Sequence, residues 1–327
     1  MKLRVLVTGA GGFIGSHVVD ELLARSHQVI ALCKYNSGGT YGWLEDERYI
    51  QNSSVELVLG DITDSGYMEE LVQNTDVVIN MAALIGIPYS YVAPRSYLNV
   101  NTMGVLNILE GIRRSGSKLV QISTSEVYGT PESVPITLDH PINPQSPYAA
   151  SKSAADSLCK SYSNSFDTKT IIVRPFNTFG PRQSMRAVIP TILSQIASGR
   201  RIIRLGSTDV KRDFTFVTDT AKGIVNASET VYTDGRVIQL GTGVSYSILE
   251  IIELCREEFG VEIEIETDQD RVRPINSEVQ ILESDPSVAE DLLGWNHEID
   301  IKVGLRQTYQ WISEQKQNTS KTMKYHV

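Results

Sequence analysis

Residues 8–15 read TGAGGFIG, directly after the apolar run LRVLV (3–7) and at the head of FIGSHVVDELLARS (13–26). The first run has the composition of a buried strand and the second the spacing of a helix, so the glycines sit at a strand–turn–helix junction. Gly9 suits the tight turn, Gly12 lets the backbone approach a pyrophosphate, and Gly15 lets helix and strand pack closely. A helix start turns free N–H groups toward an anion, which makes Gly9, Gly12, Phe13, Ile14 and Gly15 candidate contacts for a dinucleotide cofactor. The spacing is G-x-x-G-x-x-G, not G-x-G-x-x-G, but the mechanics are the same.

Outward from this junction the same alternation repeats. QVIALC (28–33), VELVLG (55–60), DVVINMAA (76–83), KLVQIST (118–124) and TIIVRPFN (170–177) read as strands. Helical patterns lie between them near 67–73, 97–114 and 148–164. Alternating strands and helices imply βαβ units, hence an α/β fold with a Rossmann-type, doubly wound parallel sheet. The strand runs are almost continuously apolar, as expected when helices cover both sheet faces.

Beyond Asn177 the pattern loosens into a helix near 187–198, strands near 202–205 and 213–217, and helices near 218–229 and 247–259. We expect residues 1–177 to form the Rossmann domain, with segments near 214–241 returning to it. Residues 178–315 then form mainly a smaller, interleaved substrate lobe, and 316–327 a polar tail. The stretch SEQKQNTSKTMKYHV after Trp311 is expected to fray.

The chain has 327 residues, 41% hydrophobic and 21% charged, enough apolar content for a sizeable core. A net charge of −9 argues against a general nucleic-acid binder without forbidding a local basic pocket. Cys33, Cys159 and Cys255 are widely separated and form no C-x-x-C, so neither a disulfide framework nor a metal site is expected, and the cytoplasm is the expected compartment. No run of 18 apolar residues suggests a membrane span.

The strongest chemistry lies in YAASK (148–152). Tyr148 and Lys152 are four apart on a helix, hence on one face. A phenol with a pKa of about 10 is a poor base at neutral pH. A neighbouring ammonium and a cationic nicotinamide would bring it into a useful range. Thr124 ends the preceding strand, and Glu126 follows it at once in ISTSEVYGTP (122–131). A carboxylate there is either a solvated turn residue or a base held in a cleft. Strand two ends in Leu32-Cys33-Lys34, without the acid that grips the ribose of NAD. The cofactor is therefore NAD or NADP, with Lys34 beside Cys33 tilting the expectation to the 2′-phosphate of NADP. Asp61 and Ile62, after strand three, are candidates for an adenine contact.

Together these motifs resemble the extended short-chain dehydrogenase/reductases that act on nucleotide sugars. TGAGGFIG, NMAA (80–83), NVNTMGVLN (99–107), STSEVYG (123–129), YAASK, RPFNTFGP (174–181) and KRDFTFV (211–217) fall in that family's order, and LGTG (240–243) and LLGW (292–295) extend the match. The resemblance implies a catalytic triad of Thr124, Tyr148 and Lys152, supported by Asn101. It implies that Ala82 and Ala83 line the cofactor and that Asn177 meets the sugar diphosphate. Arg182, Arg212, Arg273 and Glu278 become candidates for nucleotide or phosphate contact, and Val188 for a substrate contact.

Such enzymes oxidise a sugar hydroxyl and keep the hydride on their cofactor. An epimerase returns it to the other face and needs no further base. A 4,6-dehydratase needs a second base for the proton at carbon 5, and Thr124-Ser125-Glu126 resembles the signature of GDP-mannose 4,6-dehydratases and of UDP-glucuronate decarboxylases. Related dTDP-glucose dehydratases carry an aspartate where Ser125 stands. Either Ser125 relays a proton or Glu126 acts as both base and acid; the second is favoured, because an unactivated hydroxyl is a poor proton donor.

NMAALIGIPYSY (80–91), RPFNTFGPRQSMRAVIP (174–190) and KYNSGGTYGWLED (34–46) resemble UDP-N-acetylglucosamine 4,6-dehydratases of legionaminic-acid-type pathways. On that resemblance Leu84, Gly86 and Ile87 give an apolar wall, and Tyr89 a polar tip, for an acetamido group. The implied partners are a UDP-sugar substrate and a second copy in a homodimer, with no nucleic acid and no membrane. A decarboxylase, an epimerase, or a non-catalytic dinucleotide sensor on the same scaffold are the alternatives. The sensor is disfavoured because both Tyr148 and Lys152 are present.

Overall fold

In the computed structural model, which describes residues 2–269 and 274–318, the apolar runs assemble around one parallel sheet. In chain order the strands are β1 (Arg4–Thr8), β2 (Gln28–Lys34), β3 (Val55–Gly60), β4 (Val77–Asn80), β5 (Lys118–Ile122) and β6 (Thr170–Pro175), then β7 (Asn177–Phe179), β8 (Ile202–Leu205), β9 (Lys211–Phe216), β10 (Asp234–Leu240), β11 (Ser245–Ser247), β12 (Glu264–Thr267) and β13 (Ile281–Leu282). Seven of them form the main sheet in the order β10-β6-β5-β4-β1-β2-β3. The winding reverses between β1 and β4, and a reversal of this kind opens a crevice beyond the carboxyl ends of the strands.

The main helices are α1 (Phe13–Ala24), α2 (Ser65–Gln73), α3 (Gly104–Ser115), α4 (Pro147–Phe166), α5 (Val188–Ile196), α6 (Val217–Glu229), α7 (Ile248–Phe259) and α8 (Ile301–Asn318). Strand side chains alternate between faces. Val5, Val7, Ile79 and Val120 pack with Val18, Val19 and Leu22 of α1 and Ile224 of α6. Leu6, Val78 and Leu119 pack on the other face with Met68 and Val72 of α2, Ile108 and Ile112 of α3, and Cys159 of α4. Both faces of each strand are therefore apolar, which explains the unbroken hydrophobic runs in the sequence.

A second core forms from Phe179, Ile192, Phe214, Ile251 and Leu305, under α5, α7 and α8. In this lobe β9 pairs in parallel with β7 and β13 and antiparallel with β11, while β8 pairs with β12. Residues 217–240 supply α6 and β10, the latter paired with β6 of the main sheet. Two buried ionisable side chains tie distant segments together. Lys118 donates to the carbonyls of Ala227, Ser228 and Thr230 at the end of α6, where helical carbonyls lack partners, and burial pulls its pKa down to about 8. Asp213 of β9 accepts from Thr242 N and Oγ1, Gly243 N, and Ser284 N and Oγ, tying β9 to the turn after β10 and to the chain after β13.

Two local expectations need correction. The stretch 97–114 is not one regular helix: Pro94–Leu98 is followed by a π-helical turn, Asn99–Met103, before α3 begins. That turn places Asn101, only 1% exposed, against the backbone of Leu84, giving its amide a polar partner inside the fold. The chain also does not fray directly after Trp311, because α8 runs on to Asn318. Glu, Gln and Lys are good helix formers, and the helix is pinned by buried Ile312 and by Tyr309 stacked on Phe259 at 4.4 Å. Trp311 itself meets Trp43 edge-on, with ring centroids 5.5 Å apart. Among the described residues no helix is long and apolar enough to cross a membrane.

Candidate active site

The glycine turn after β1 is built as its spacing requires. Gly9 has φ +66°, and a Cβ there would lie 2.9 Å from the backbone nitrogen of Ala82. A Cβ on Gly15 would lie 2.3 Å from the Gly9 carbonyl, so only glycine lets α1 start so close to the strand. Gly12 is the N-cap of α1, with no side-chain cap and no acid in the first turn. Gly11, which the sequence reading passed over, is the seat of the loop after β2. Its carbonyl accepts from Trp43 N, and a Cβ on Gly11 would lie 2.2 Å from the carbonyl oxygen of Tyr41.

The turn opens on a cleft of about 1080 Å³ that runs between the main sheet and the second lobe. Gly9, Gly12, Phe13, Ile14 and Gly15 line one end. Lys34, Asp61, Ile62, Ala82 and Ala83 lie along the same cleft, with Asn36 and Thr40 beside Lys34. An uncapped helix start at the glycine turn, with this cradle around it, fits a dinucleotide pyrophosphate. No carboxylate stands at the end of β2; Cys33 is buried there, and burial pushes its thiol up to about 11. The Asp61 carboxylate accepts from Thr63 N and Oγ1, which fixes its turn.

Strand ends in a parallel sheet leave polar groups that need partners, and a chain of side chains supplies them here. The Thr8 hydroxyl donates to Asn80 Oδ1 at 2.6 Å, Asn80 Nδ2 to Gln121 Oε1 at 2.8 Å, and Gln121 Nε2 to the Ile122 carbonyl at 3.0 Å. Lys152 Nζ donates to that same carbonyl.

Tyr148, Lys152, Thr124 and Glu126 all face the cleft. Ser146 caps α4 and Pro147 opens it, so Tyr148 stands in the first turn with Lys152 one turn further on. Thr124 ends the extended chain after β5, and its Oγ1 accepts from Glu126 N at 3.3 Å, starting the 3₁₀ turn Ser125–Tyr128 that carries Glu126. Thr124 also acts on the Tyr148 phenol, in the direction that lowers its pKa.

Burial dominates the electrostatics. It pushes the Tyr148 phenol well above its usual range; Thr124 opposes this and the Glu126 charge adds to it. Burial pulls Lys152 down to about 8, against the pull of the Asp156 charge. The expectation that Lys152 lowers the phenol is thus not met by the protein alone: the ammonium is engaged by the Ile122 carbonyl, and desolvation of Tyr148 wins.

On the sugar side, Leu84, Gly86, Ile87 and Tyr89 line the cleft. Ile87 is buried with Tyr97 and Tyr148, while Tyr89 is 48% exposed. Tyr97 donates its hydroxyl to the Gly86 carbonyl and stands edge-on to Tyr148 at 6.3 Å. Asn177, Val188, Arg212 and Glu278 line the part of the cleft toward the second lobe. Arg212 Nη2 meets Glu278 Oε1 at 3.1 Å, a nearly buried ion pair.

Three expected site residues stand elsewhere, and a fourth is not among the described residues. Arg182 is not a cleft residue: it has φ +69° and pairs with Asp20 of α1 at 2.9 Å, so its charge braces the loop after β7 against that helix. Ser125 is 3% exposed and lies outside the cleft lining, as the first residue of the turn that presents Glu126. Asn101 is spent on protein groups, bonding both backbone groups of Leu84 and donating to Ser151 Oγ, which in turn donates to the Tyr148 carbonyl. Arg273 lies outside the described residues. The sequence reading also missed Gln183 and Arg186, polar cleft residues from the irregular segment before α5, whose loop composition carries no signal.

Comparison with known proteins agrees with this geometry. A family model described as GDP-mannose 4,6 dehydratase matches residues 6–308. The UDP-glucose 4-epimerase of Mycolicibacterium smegmatis is 31% identical, covering 96% of this chain and 100% of its own length. UDP-glucuronic acid decarboxylase 1 of Danio rerio is 29% identical over 96% of this chain and 73% of its own. DesIV, a dTDP-glucose 4,6-dehydratase from Streptomyces venezuelae solved with NAD bound, has a TM-score of 0.86 at 26% identity, covering 97% of this chain and 99% of its own.

Proposed function

The chain belongs to the GDP-mannose 4,6 dehydratase family of extended short-chain dehydrogenase/reductases, and within that family we propose that it is a nucleotide-sugar 4,6-dehydratase acting on UDP-N-acetylglucosamine. The observation that carries this reading is the place of Glu126: in one cleft with Thr124 and Tyr148, with its backbone N–H on Thr124 Oγ1. Epimerisation needs no carboxylate there. Decarboxylation of a uronate calls for a cation at the sugar carboxylate; the Arg212 charge is countered by Glu278, which leaves Arg186 as the cleft cation that reading would use.

A nicotinamide cofactor, which Gly9, Gly12, Ala82 and Ala83 would hold, would supply reversible hydride storage between carbon 4 and carbon 6. Tyr148, as the phenolate, takes the proton of the 4-hydroxyl, and Thr124 favours that form. The resulting ketone acidifies carbon 5, whose proton passes to Glu126. Glu126 then gives a proton to the hydroxyl leaving carbon 6 as water, and carbon 5 regains a proton from solvent at the end. The product is a 4-keto-6-deoxy sugar. Glu126 is the proton donor in this scheme because Ser125 does not line the cleft.

Leu84, Gly86 and Ile87, with the tip of Tyr89, are the surface we assign to the acetamido group. We keep the cofactor as NAD or NADP: DesIV holds NAD, whereas Lys34 and the absence of a carboxylate at the end of β2 favour a 2′-phosphate. A homodimer through α3 and α4 completes the proposal, with Met103 and Phe166 exposed beside them.

Incubation with UDP-N-acetylglucosamine in deuterated water tests the reading. Water is expected to be lost from the sugar and deuterium to appear at carbon 5. A product of unchanged mass would mean epimerisation, and carbon dioxide from UDP-glucuronate would mean decarboxylation; either result overturns the dehydratase reading.

A further inference from the structure

The segment that carries Thr124 and Glu126 is held at both ends by one buried ion pair that the chemistry above does not use. Asp156 lies on α4 one turn beyond Lys152, and Arg174 lies on β6. Their side chains are 4% and 3% exposed and meet at 2.9 Å. Asp156 Oδ2 accepts from Ser123 Oγ at 2.8 Å, immediately before Thr124. Arg174 Nη1 donates to the Tyr128 hydroxyl at 2.8 Å, two residues after Glu126, and its guanidinium lies 4.9 Å from the Tyr128 ring centroid. Gln239 of β10 donates to the same hydroxyl at 2.7 Å.

We infer that the Asp156–Arg174 pair, acting through Ser123 and Tyr128, is a positioning device that sets Glu126 in register with Tyr148 and Lys152. Three observations converge on it. A buried ion pair loses about as much in desolvation as it gains in attraction, so its net contribution to stability is small and fixed geometry is what it delivers. Both of its ends grip the 123–128 segment. Asp156 also shares a helix with Tyr148 and Lys152, so the pair references Glu126 to the helix that bears the other base. A carboxylate must lie within hydrogen-bond reach of the proton it removes, and a displacement of about 1 Å can cost as much as a hundredfold in rate. Carbon 4 oxidation depends on Tyr148 and on Thr124, which is held from the Ser123 end of the segment and not from the Tyr128 end.

The inference rests on the dehydratase reading, and its test separates the two. Tyr128→Phe removes one hydroxyl that accepts from Arg174 and Gln239, and Tyr128 itself does not line the cleft. The variant, purified with its cofactor, is given UDP-N-acetylglucosamine in deuterated buffer. Carbon 4 oxidation is followed by nicotinamide absorbance in a single turnover, and carbon 5 exchange with water loss by mass.

The ratio of the second rate to the first is expected to fall about tenfold, a fraction of what full misplacement costs. That ratio is independent of how much of the protein is folded. Amide hydrogen exchange across 123–129 should rise in the variant. A ratio equal to the parent's, with both rates falling together, would show that the pair only stabilises the fold. Should the parent protein itself eliminate no water, the dehydratase reading fails, and unchanged exchange at 123–129 would then overturn the positioning inference independently.

Discussion

Glu126→Gln is expected to abolish elimination while sparing oxidation at carbon 4. The amide keeps the shape of the side chain and the backbone bond to Thr124, so the turn Ser125–Tyr128 stays in place. It removes the only group we assign to proton transfer at carbon 5 and at the leaving hydroxyl. Loss of a positioned acid–base group costs about 10² to 10⁴ in rate, and one group doing both jobs places the effect at the upper end. In free energy that is about 5 kcal/mol of barrier at 10⁴.

A second consequence has the opposite sign. The Glu126 charge helps to hold the Tyr148 phenol up. Removing that charge favours the phenolate, so the rise of carbon 4 oxidation with pH should begin at lower pH in the variant. Single-turnover absorbance across a pH series, beside product mass, measures both effects. Turnover equal to the parent's would remove Glu126 from the mechanism.

Asp213→Ala is expected to be strongly destabilising although it lies outside the site. The carboxylate is fully buried and gathers N–H groups from Thr242, Gly243 and Ser284 and hydroxyls from Thr242 and Ser284. Alanine would leave these donors facing a void. An unsatisfied buried donor costs about 1–3 kcal/mol, and water entering the space recovers part of it, so about 3–5 kcal/mol is expected in total. A folded domain has only about 5–15 kcal/mol to lose. Asp213→Asn should recover little, because its NH₂ would face the N–H groups that the carboxylate accepts. The midpoint of urea unfolding, at unchanged slope, measures the loss. A loss under about 1 kcal/mol would show that the knot around Asp213 is dispensable.

The glycine turn, the strand runs and the Tyr148–Lys152 spacing were legible because each is a local pattern: a turn, an unbroken apolar run, a spacing of four. Glu126 was legible because an acid just past an apolar strand is out of place there. What escaped is set by partners far away in sequence. Gly11 needs Tyr41, thirty residues on, to show why it must be glycine. Arg182 read as a phosphate contact because a loop arginine carries no sign of its counter-ion, and Asp20 supplies one from α1. Asp156 and Arg174 look like ordinary charges on a helix and a strand until the fold buries them together. The break before α3 depends on Asn101 finding Leu84, which no helical periodicity encodes.

Trp43 and Trp311 give the molecule an optical gauge of its own integrity. Of the three tryptophans in the chain, Trp295 is sealed in the core with its indole N–H on the Asp219 carbonyl. The other two form one pair, whose Trp43 member has its backbone N–H on Gly11 of the glycine turn. Any movement that lifts this loop off the turn parts the two indoles, so stripping the cofactor should shift tryptophan emission, and Trp311→Phe should silence most of that shift. Emission indifferent to the cofactor would mean that the loop rides with the glycine turn whether or not the cradle is filled.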